Sequence, residues 1–314
     1  MAAVTLAWGQ TVTCTDIAIA DTSGGNSGEG SVVGRIWDGD NVAQEILRRV
    51  RDEVTSLRHQ GHPPPTLVEL RVSDVASRDP MQALQEEACR VSGISYQVRF
   101  FPLTSDHGVI ARALADLNAD PRVTGITLHA PPSVSLLTLT AALTPEKDVD
   151  GWHPLNLGRL ITNKRKRRWA RGMEVVHLLK QADTQLVGAH VICIGNASGL
   201  AGVFAMLCLH ENATVTAWKS VSTWPGDLLQ RGDVLLIDSD EWPPMDPAAF
   251  KPGAVLIDAR HPPHGQSLAP DERWLDVVSL LIPLPGGVGP ATVALRLSSL
   301  VALYREQVCI PADS

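Results

Sequence analysis

The stretch VICIGNASGLAG (191–202) decides how the second half of the chain folds. The apolar run 189–194 is typical of a strand buried on both faces of a parallel sheet. Gly195 follows this run, and Gly199 and Gly202 stand at the start of a predicted helix. A strand, a glycine turn and a helix in this order can bind a phosphate, because free backbone N–H groups and the helix dipole favour an anion. The spacing differs from G-x-G-x-x-G, so tight strand–helix packing remains an alternative explanation of the glycines.

The next strand of this half carries a further indication about a ligand. Lys219 and Ser220 stand at its end, where an NAD site has an acidic residue for the ribose hydroxyls. A lysine and a serine suit a 2′-phosphate instead. If a dinucleotide binds, we therefore expect NADP, held by this pair and by the turn that contains Gly195, Ser198 and Gly199.

The whole chain alternates strands and helices. Predicted helices span residues 38–60, 80–92, 106–118, 133–143, 199–210 and 289–306. Predicted strands span residues 66–72, 96–101, 123–128, 189–194, 213–217, 234–237, 255–257 and 278–282. This order calls for parallel sheets with helices on their faces. The prediction is an α/β protein of two lobes, with residues 1–34 as an N-terminal extension.

Composition excludes several classes of protein. The chain has 314 residues, a net charge of −7 and a pI near 5.8, which do not suit general binding to nucleic acid. No apolar run reaches the roughly 18 residues of a membrane span. The five cysteines are scattered, which is typical of reduced thiols, and no Cys/His spacing predicts a metal site. The first 33 residues lack Arg and Lys and fit a mitochondrial transit peptide poorly, so the compartment stays open between mitochondrion and cytoplasm.

One basic segment departs from this acidic average. It surrounds Trp169 and consists of Lys164, Arg165, Lys166, Arg167, Arg168 and Arg171. Cations with an interleaved aromatic side chain suit phosphate backbones and stacked bases, so we predict contact with RNA or an acidic partner. A nuclear-localisation signal and a solvated loop are the alternatives.

Four segments resemble the bifunctional methylenetetrahydrofolate dehydrogenase/cyclohydrolase family, FolD. They are RIWDGDNVAQEI (35–46), TGITLHAPP (124–132), EKDVDGWHPLNLGRL (146–160) and PLPGGVGPATVA (283–294). The resemblance implies a folate-type catalytic lobe (35–160, with the closing helix 289–306 packed back on it) and a Rossmann-like NADP-binding lobe (161–288). It also implies a folate cleft between the lobes, with contacts at Asp150, Pro285, Gly286 and Gly287, and a homodimer.

The family's proton-transfer residues are altered here. The resemblance implies a Tyr-x-x-x-Lys pair on the second helix, and alignment on Ala88-Cys89 places the lysine position at Gln85 and the tyrosine position at Met81. A neutral amide has no proton to exchange near pH 7, so Gln85 cannot act as the lysine does.

Two further positions accompany this pair. A supporting glutamine of the family becomes His129, which either shuttles a proton or is only packed and hydrogen-bonded. Asp150 matches the aspartate that holds the pterin, and its alternative role is to cap backbone N–H groups near Gly151.

The dinucleotide side is altered as well. The basic loop 163–172 replaces a Pro-Cys-Thr-Pro-type segment of the family, and Asp238-Ser239-Asp240-Glu241 follows the third strand of the second lobe. Three acidic groups beside a pyrophosphate would repel it. The first hypothesis is therefore a catalytically degenerate member that serves as a structural or binding subunit of a larger assembly such as a mitochondrial ribonucleoprotein, with either NADP or no cofactor. The alternative is an NADP-dependent methylenetetrahydrofolate dehydrogenase without cyclohydrolase activity.

Overall fold

A computed structural model of the protein describes residues 34–74, 80–131, 134, 136–162, 173–196, 199–219, 226–239, 246–260, 272–283 and 287–308. The strands are β1 (Arg35–Ile36), β2 (Thr66–Ser73), β3 (Ser95–Pro102), β4 (Gly125–His129), β5 (His190–Gly195), β6 (Thr214–Trp218), β7 (Val234–Asp238), β8 (Val255–Asp258) and β9 (Leu280–Ile282). The helices are α1 (Gly39–His59), α2 (Pro80–Ser92), α3 (His107–Ala119), α4 (Leu136–Ala141), α5 (Pro154–Ile161), α6 (Met173–Gln181), α7 (Leu200–His210) and α8 (Val288–Gln307). Two parallel sheets carry these helices, which confirms the predicted α/β class and its two lobes.

The first lobe is built on a sheet with strand order β3-β2-β4. Helix α1 begins where the Asp38 carboxylate accepts hydrogen bonds from the N–H groups of Asp40 and Asn41. Its apolar residues recur at helical spacing and bury one stripe. They are Val42, Ile46, Val50, Val54 and Leu57. This stripe belongs to the same apolar core as the buried residues of α8.

The second lobe is a six-stranded sheet with strand order β1-β9-β8-β7-β5-β6. Strands β5, β7 and β8 lie in its interior and are apolar nearly throughout, as both-face burial requires. In the register of β5 and β7, Gly195 lies opposite Asp238 at the carboxyl ends of both strands. Ligands of open α/β sheets bind at this edge.

The closing helix α8 packs back on the first lobe, as predicted. It contacts α1, α2 and α6. Tyr304 donates a hydrogen bond to the carbonyl of Pro63 (2.7 Å), and Gln307 donates one to the carbonyl of Thr124 (2.9 Å). Polar contacts therefore fix the far end of α8 on this lobe, while its apolar side chains complete the lobe's core.

Two elements differ from the sequence-based expectation. The helix expected over 133–143 ends at Ala141, because the N–H groups of Ala142 and Leu143 bond carbonyls three residues back and Pro145 follows closely. Arg35 and Ile36 pair with β9, so the first residues of the range assigned to the first lobe join the second sheet. Among the described residues, no helix is long and apolar enough to cross a membrane.

Candidate active site and dinucleotide turn

Gln85 lies on the buried face of α2, and only 1% of its surface is exposed. Met81, one turn earlier on the same helix, is 40% exposed. The Gln85 amide nitrogen donates to the Cys89 sulfur (3.4 Å), and the amide oxygen accepts from Arg296 Nη1 (2.8 Å). Both ends of the amide are therefore held in place, and neither can exchange a proton near neutral pH.

Arg296, on α8, joins the two folate-site positions that the sequence indicated. Its Nε donates to Asp150 Oδ1 (2.8 Å) while Nη1 bonds Gln85. The second Asp150 oxygen accepts from the hydroxyl of Thr127 on β4 (2.5 Å). The structure thus brings Gln85 and Asp150 together, and the residue between them is one that sequence reasoning missed.

A neighbouring carboxylate, Asp148, binds backbone N–H groups of the turn that follows Asp150. Asp148, which is 1% exposed, accepts from the N–H groups of Gly151 (3.0 Å) and His153 (2.7 Å) and from the Asn156 amide (2.8 Å). Burial raises the pKa of this carboxyl. Asp148 thus shapes this turn and accepts the Gly151 N–H, while Asp150 pairs with Arg296; the capping role of Asp150 stays a prediction.

The electrostatics of the site keep Arg296 charged. Its side chain is 14% exposed and that of Asp150 is 10% exposed. Burial disfavours the guanidinium, but attraction by Asp150, Glu69 and Glu174 outweighs this and raises the pKa of Arg296. A permanently protonated guanidinium is a fixed cation and not a proton donor.

A second buried cluster lies on the adjoining strands of the same sheet. Glu69, on β2, accepts from Arg71 Nε (2.8 Å) and from the hydroxyl of Tyr96 on β3 (2.5 Å). Burial, followed by the hydrogen bond to Glu69, raises the pKa of the Tyr96 phenol. Tyr96 therefore stays neutral at physiological pH and does not supply the missing acid/base group.

His129 lies at the exposed end of β4, where it is opposite Arg71 in the register of β2 and β4. Its role as a proton shuttle stays a prediction. Gly287 caps the start of α8, and its N–H donates to the carbonyl of Pro283 (2.9 Å). Pro285 and Gly286, the other predicted folate contacts, lie outside the described residues.

The glycine turn joins β5 to α7 as predicted. Gly195 has a φ of 155°, and a Cβ there would lie 2.4 Å from the Asp238 carbonyl oxygen, so a side chain is excluded. Helix α7 has Gly199 at its N-cap and no side-chain cap from that residue. Gly202 lies inside the first turn of α7, and Ser198 lies outside the described residues.

The carboxylate of Asp238 lies at this turn. Its Oδ2 accepts from the N–H of Ala201 at 3.2 Å, and it lies 3.0 Å from where a Cβ on Gly199 would be. An anion already occupies the start of the helix, and a dinucleotide pyrophosphate there would be repelled. In this arrangement the Asp238 carboxylate disfavours a pyrophosphate at the first turn of α7. Lys219 is exposed beyond the end of β6, and Ser220 lies outside the described residues.

Other predicted features give no site in the described part of the chain. The basic segment 163–172, with all its predicted RNA or partner contacts, lies outside the described residues. No group of three or more His, Cys, Asp or Glu side chains that could hold a metal ion occurs among the residues described.

Comparisons with known proteins place the chain in a family. Residues 37–150 match "Tetrahydrofolate dehydrogenase/cyclohydrolase, catalytic domain", and residues 170–308 match "Tetrahydrofolate dehydrogenase/cyclohydrolase, NAD(P)-binding domain". The chain is 33% identical over 289 residues to "Bifunctional protein FolD 2" of Mesorhizobium japonicum, covering 88% of this chain and 94% of that protein. It is 30% identical over 280 residues to "Bifunctional protein FolD" of Brevibacillus brevis, covering 87% and 98%.

Solved structures agree on the fold. A 5,10-methylenetetrahydrofolate dehydrogenase from the silkworm, Bombyx mori, superposes with a TM-score of 0.79 at 24% identity, over 88% of this chain and 99% of that one. The Trypanosoma brucei FolD complexed with NADP cofactor and inhibitor gives a TM-score of 0.78 at 22% identity, over 88% and 98%. Sequence identity over most of both chains, together with this shared fold, makes the chain a member of the tetrahydrofolate dehydrogenase/cyclohydrolase (FolD) family.

Proposed function

We propose that this chain is a family member without cyclohydrolase activity that serves as a binding or structural subunit. The observation that carries this proposal is the contact of Gln85 with Arg296 at the position that the resemblance assigns to the acid/base lysine. Opening a methenyl ring by water requires a group that accepts and returns a proton. An amide and a fixed guanidinium do neither near neutral pH.

The same contacts argue against ordinary folate binding. A pterin ring held by Asp150 needs carboxylate oxygens to accept its N–H groups. One of these oxygens accepts from Arg296 and the other from Thr127. Each oxygen keeps a further lone pair, but a folate would meet a carboxylate whose charge Arg296 already balances in a buried ion pair, which weakens the binding of a pterin.

The direct test is hydrolysis of methenyltetrahydrofolate, followed as loss of its absorbance. We expect the purified protein to leave the rate at that of buffer alone. The double variant Gln85→Lys/Arg296→Leu removes the fixed cation and restores a lysine, so it should give measurable hydrolysis. Hydrolysis by the unaltered protein that is abolished in Asp150→Asn would contradict the proposal.

A second candidate is an NADP-dependent methylenetetrahydrofolate dehydrogenase without cyclohydrolase activity. The exposed Lys219 beyond β6 favours it, since a lysine there suits a 2′-phosphate. Hydride transfer depends on positioning more than on a proton donor. The protein would then raise reduced-nicotinamide absorbance with NADP and methylenetetrahydrofolate, and Lys219→Met would lower the preference for NADP over NAD.

The subunit role includes a partner, and a mitochondrial ribonucleoprotein is our specific proposal. Its support is the basic segment 164–171, which suits RNA. Binding of a labelled RNA should weaken steeply with added salt and should be lost when Lys164, Arg165, Lys166 and Arg167 become alanine. Unchanged RNA binding by the quadruple variant would show that the basic segment is not the RNA-binding site. Imaging of the tagged protein in its own cells tests the mitochondrial location.

A further inference from the structure

The carboxylate of Asp238 lies at the start of α7, next to the glycine turn, where strand register, a close backbone approach and one side-chain hydrogen bond place it. Asp238 ends β7, in register with Gly195 at the end of β5. The backbone carbonyl of Asp238 is close enough to Gly195 to exclude a side chain at that position. Its carboxylate Oδ2 accepts the N–H of Ala201 in the first turn of α7.

The Asp238 carboxylate interacts with the positive end of the α7 dipole. The first N–H groups of a helix have no partner within it and carry the positive end of the dipole. At α7 one of those groups already donates to a carboxylate of the same chain, and the N-cap residue Gly199 offers no side chain for that purpose. One N–H group in the first turn of α7 therefore has a charged partner within the chain itself.

We infer that Asp238 is a built-in competitor for the dinucleotide pyrophosphate and that this residue sets the affinity of the second lobe for NADP(H). The inference goes beyond the loss of cyclohydrolase activity and does not depend on it. If the protein is a dehydrogenase, the same carboxylate lowers its affinity for NADP, because NADP would have to displace it before a phosphate could bind at the start of α7.

Two substitutions separate the charge of Asp238 from the space that it fills. Asp238→Asn keeps an oxygen for the Ala201 N–H and removes only the charge, whereas Asp238→Ser removes the charge and shortens the side chain. We expect Asp238→Asn to lower the dissociation constant for NADPH by about tenfold, the scale of a charge at a helix N-terminus in a partly buried setting. Asp238→Ser should lower it at least as much.

A matched control removes a charge elsewhere in the same lobe. Asp276 is exposed in the segment that precedes β9, at the amino edge of the sheet, so Asp276→Asn changes the net charge equally without touching the turn. NADPH binding to the full chain is measured by calorimetry, with circular dichroism to verify that each variant is folded. The advantage of Asp238→Asn over the unaltered protein should shrink as salt is added, because screening weakens charge repulsion.

Three outcomes would overturn the inference. They are equal NADPH binding by the unaltered protein and both Asp238 variants, no binding by any of them, and an equal gain from Asp276→Asn. Methenyltetrahydrofolate hydrolysis needs no dinucleotide, so the cyclohydrolase proposal can fail or succeed separately from this one.

Discussion

The folate-type site and the dinucleotide turn are both occupied by charges of the chain itself, but in different surroundings. In the first lobe, Arg296 and Asp150 form an ion pair whose side chains are 14% and 10% exposed. In the second lobe, Asp238 is half-buried and interacts with the backbone N–H of a helix terminus. The partner of Asp150 is another buried charge. The partner of Asp238 is the dipole of a helix, which water or a different anion can also satisfy.

This difference indicates how easily each site could return to binding a ligand. Removing one member of a buried pair leaves the other charge unpaired in a medium of low polarity. A single substitution in the folate-type site is therefore destabilising and does not simply free the site for a ligand. Removing the carboxylate from the helix terminus leaves an uncharged backbone N–H without that partner, which costs less than an unpaired buried charge. The dinucleotide turn is therefore the site that a single substitution can reopen.

The largest effect is expected from Arg296→Met. This change leaves the Asp150 carboxylate buried without its cation, and we expect the free energy of unfolding to fall by about 3–5 kcal/mol. Urea unfolding followed by circular dichroism measures it. The double variant Arg296→Met/Asp150→Asn removes both charges and should recover much of the loss. A loss below about 1 kcal/mol in the single variant would mean that the pair is not buried as described.

The next largest effect is expected from Asp148→Ala, which tests the turn that directs Asp150 inward. It leaves the N–H groups of Gly151 and His153 and the Asn156 amide without their shared acceptor. We expect a loss of about 2–3 kcal/mol, measured in the same way, since buried donors are left unsatisfied. The exposed Asp116 on α3 is a control, and Asp116→Ala should stay within about 0.5 kcal/mol of the unaltered protein.

A smaller effect is expected from Asp238→Ala on stability. The substitution removes a carboxylate cap from α7, for which about 1 kcal/mol is typical. The comparison between the two sites predicts that this loss is well below that of Arg296→Met. Thermal unfolding of both variants under identical conditions decides the order, and equal losses would show that the two internal charges are equivalent in energy.

The smallest effect is expected at an exposed pair outside both sites, and it depends on pH. Asp233 accepts from the His190 N–H (2.8 Å) and from Lys251 (2.5 Å), and these hydrogen bonds lower its pKa. A lowered folded-state pKa contributes stability that is fully present above the ordinary Asp range and is lost as pH falls through the lowered pKa. Asp233→Asn should therefore cost less than about 1 kcal/mol at pH 7, and this cost should shrink as pH falls through the lowered pKa. A cost that grows toward acid pH would contradict this assignment.

Much of the fold could be predicted from the sequence because its signals are local. The apolar stripe of α1 has helical spacing, the helix predicted over 106–118 begins where Asp106 caps α3, and Gly195 ends a strand that is buried nearly throughout. The β1 strand could not be predicted, since two residues carry no periodicity and pair only when β9 is in place.

Only part of the candidate site could be predicted from the sequence. The resemblance located Gln85 and Asp150, but nothing in their own segments indicates Arg296, which lies far along the chain. The available signal was an arginine between Leu295 and Leu297 in a helix whose neighbouring residues are largely buried. The acidic residues after β7 were recognised as unfavourable to a pyrophosphate. That one of them binds α7 depends on the β5–β7 register, which sequence does not reveal.

Helix α8 also has a consequence for how the protein is made. Its residues Leu297, Leu300 and Val301 are fully buried in the core that α1 shares. The ribosome must add everything between His59 and Val288 before that core can close. The N-terminal lobe therefore cannot complete its core until α8 has left the exit tunnel, and until then the apolar face of α1 lacks its partner.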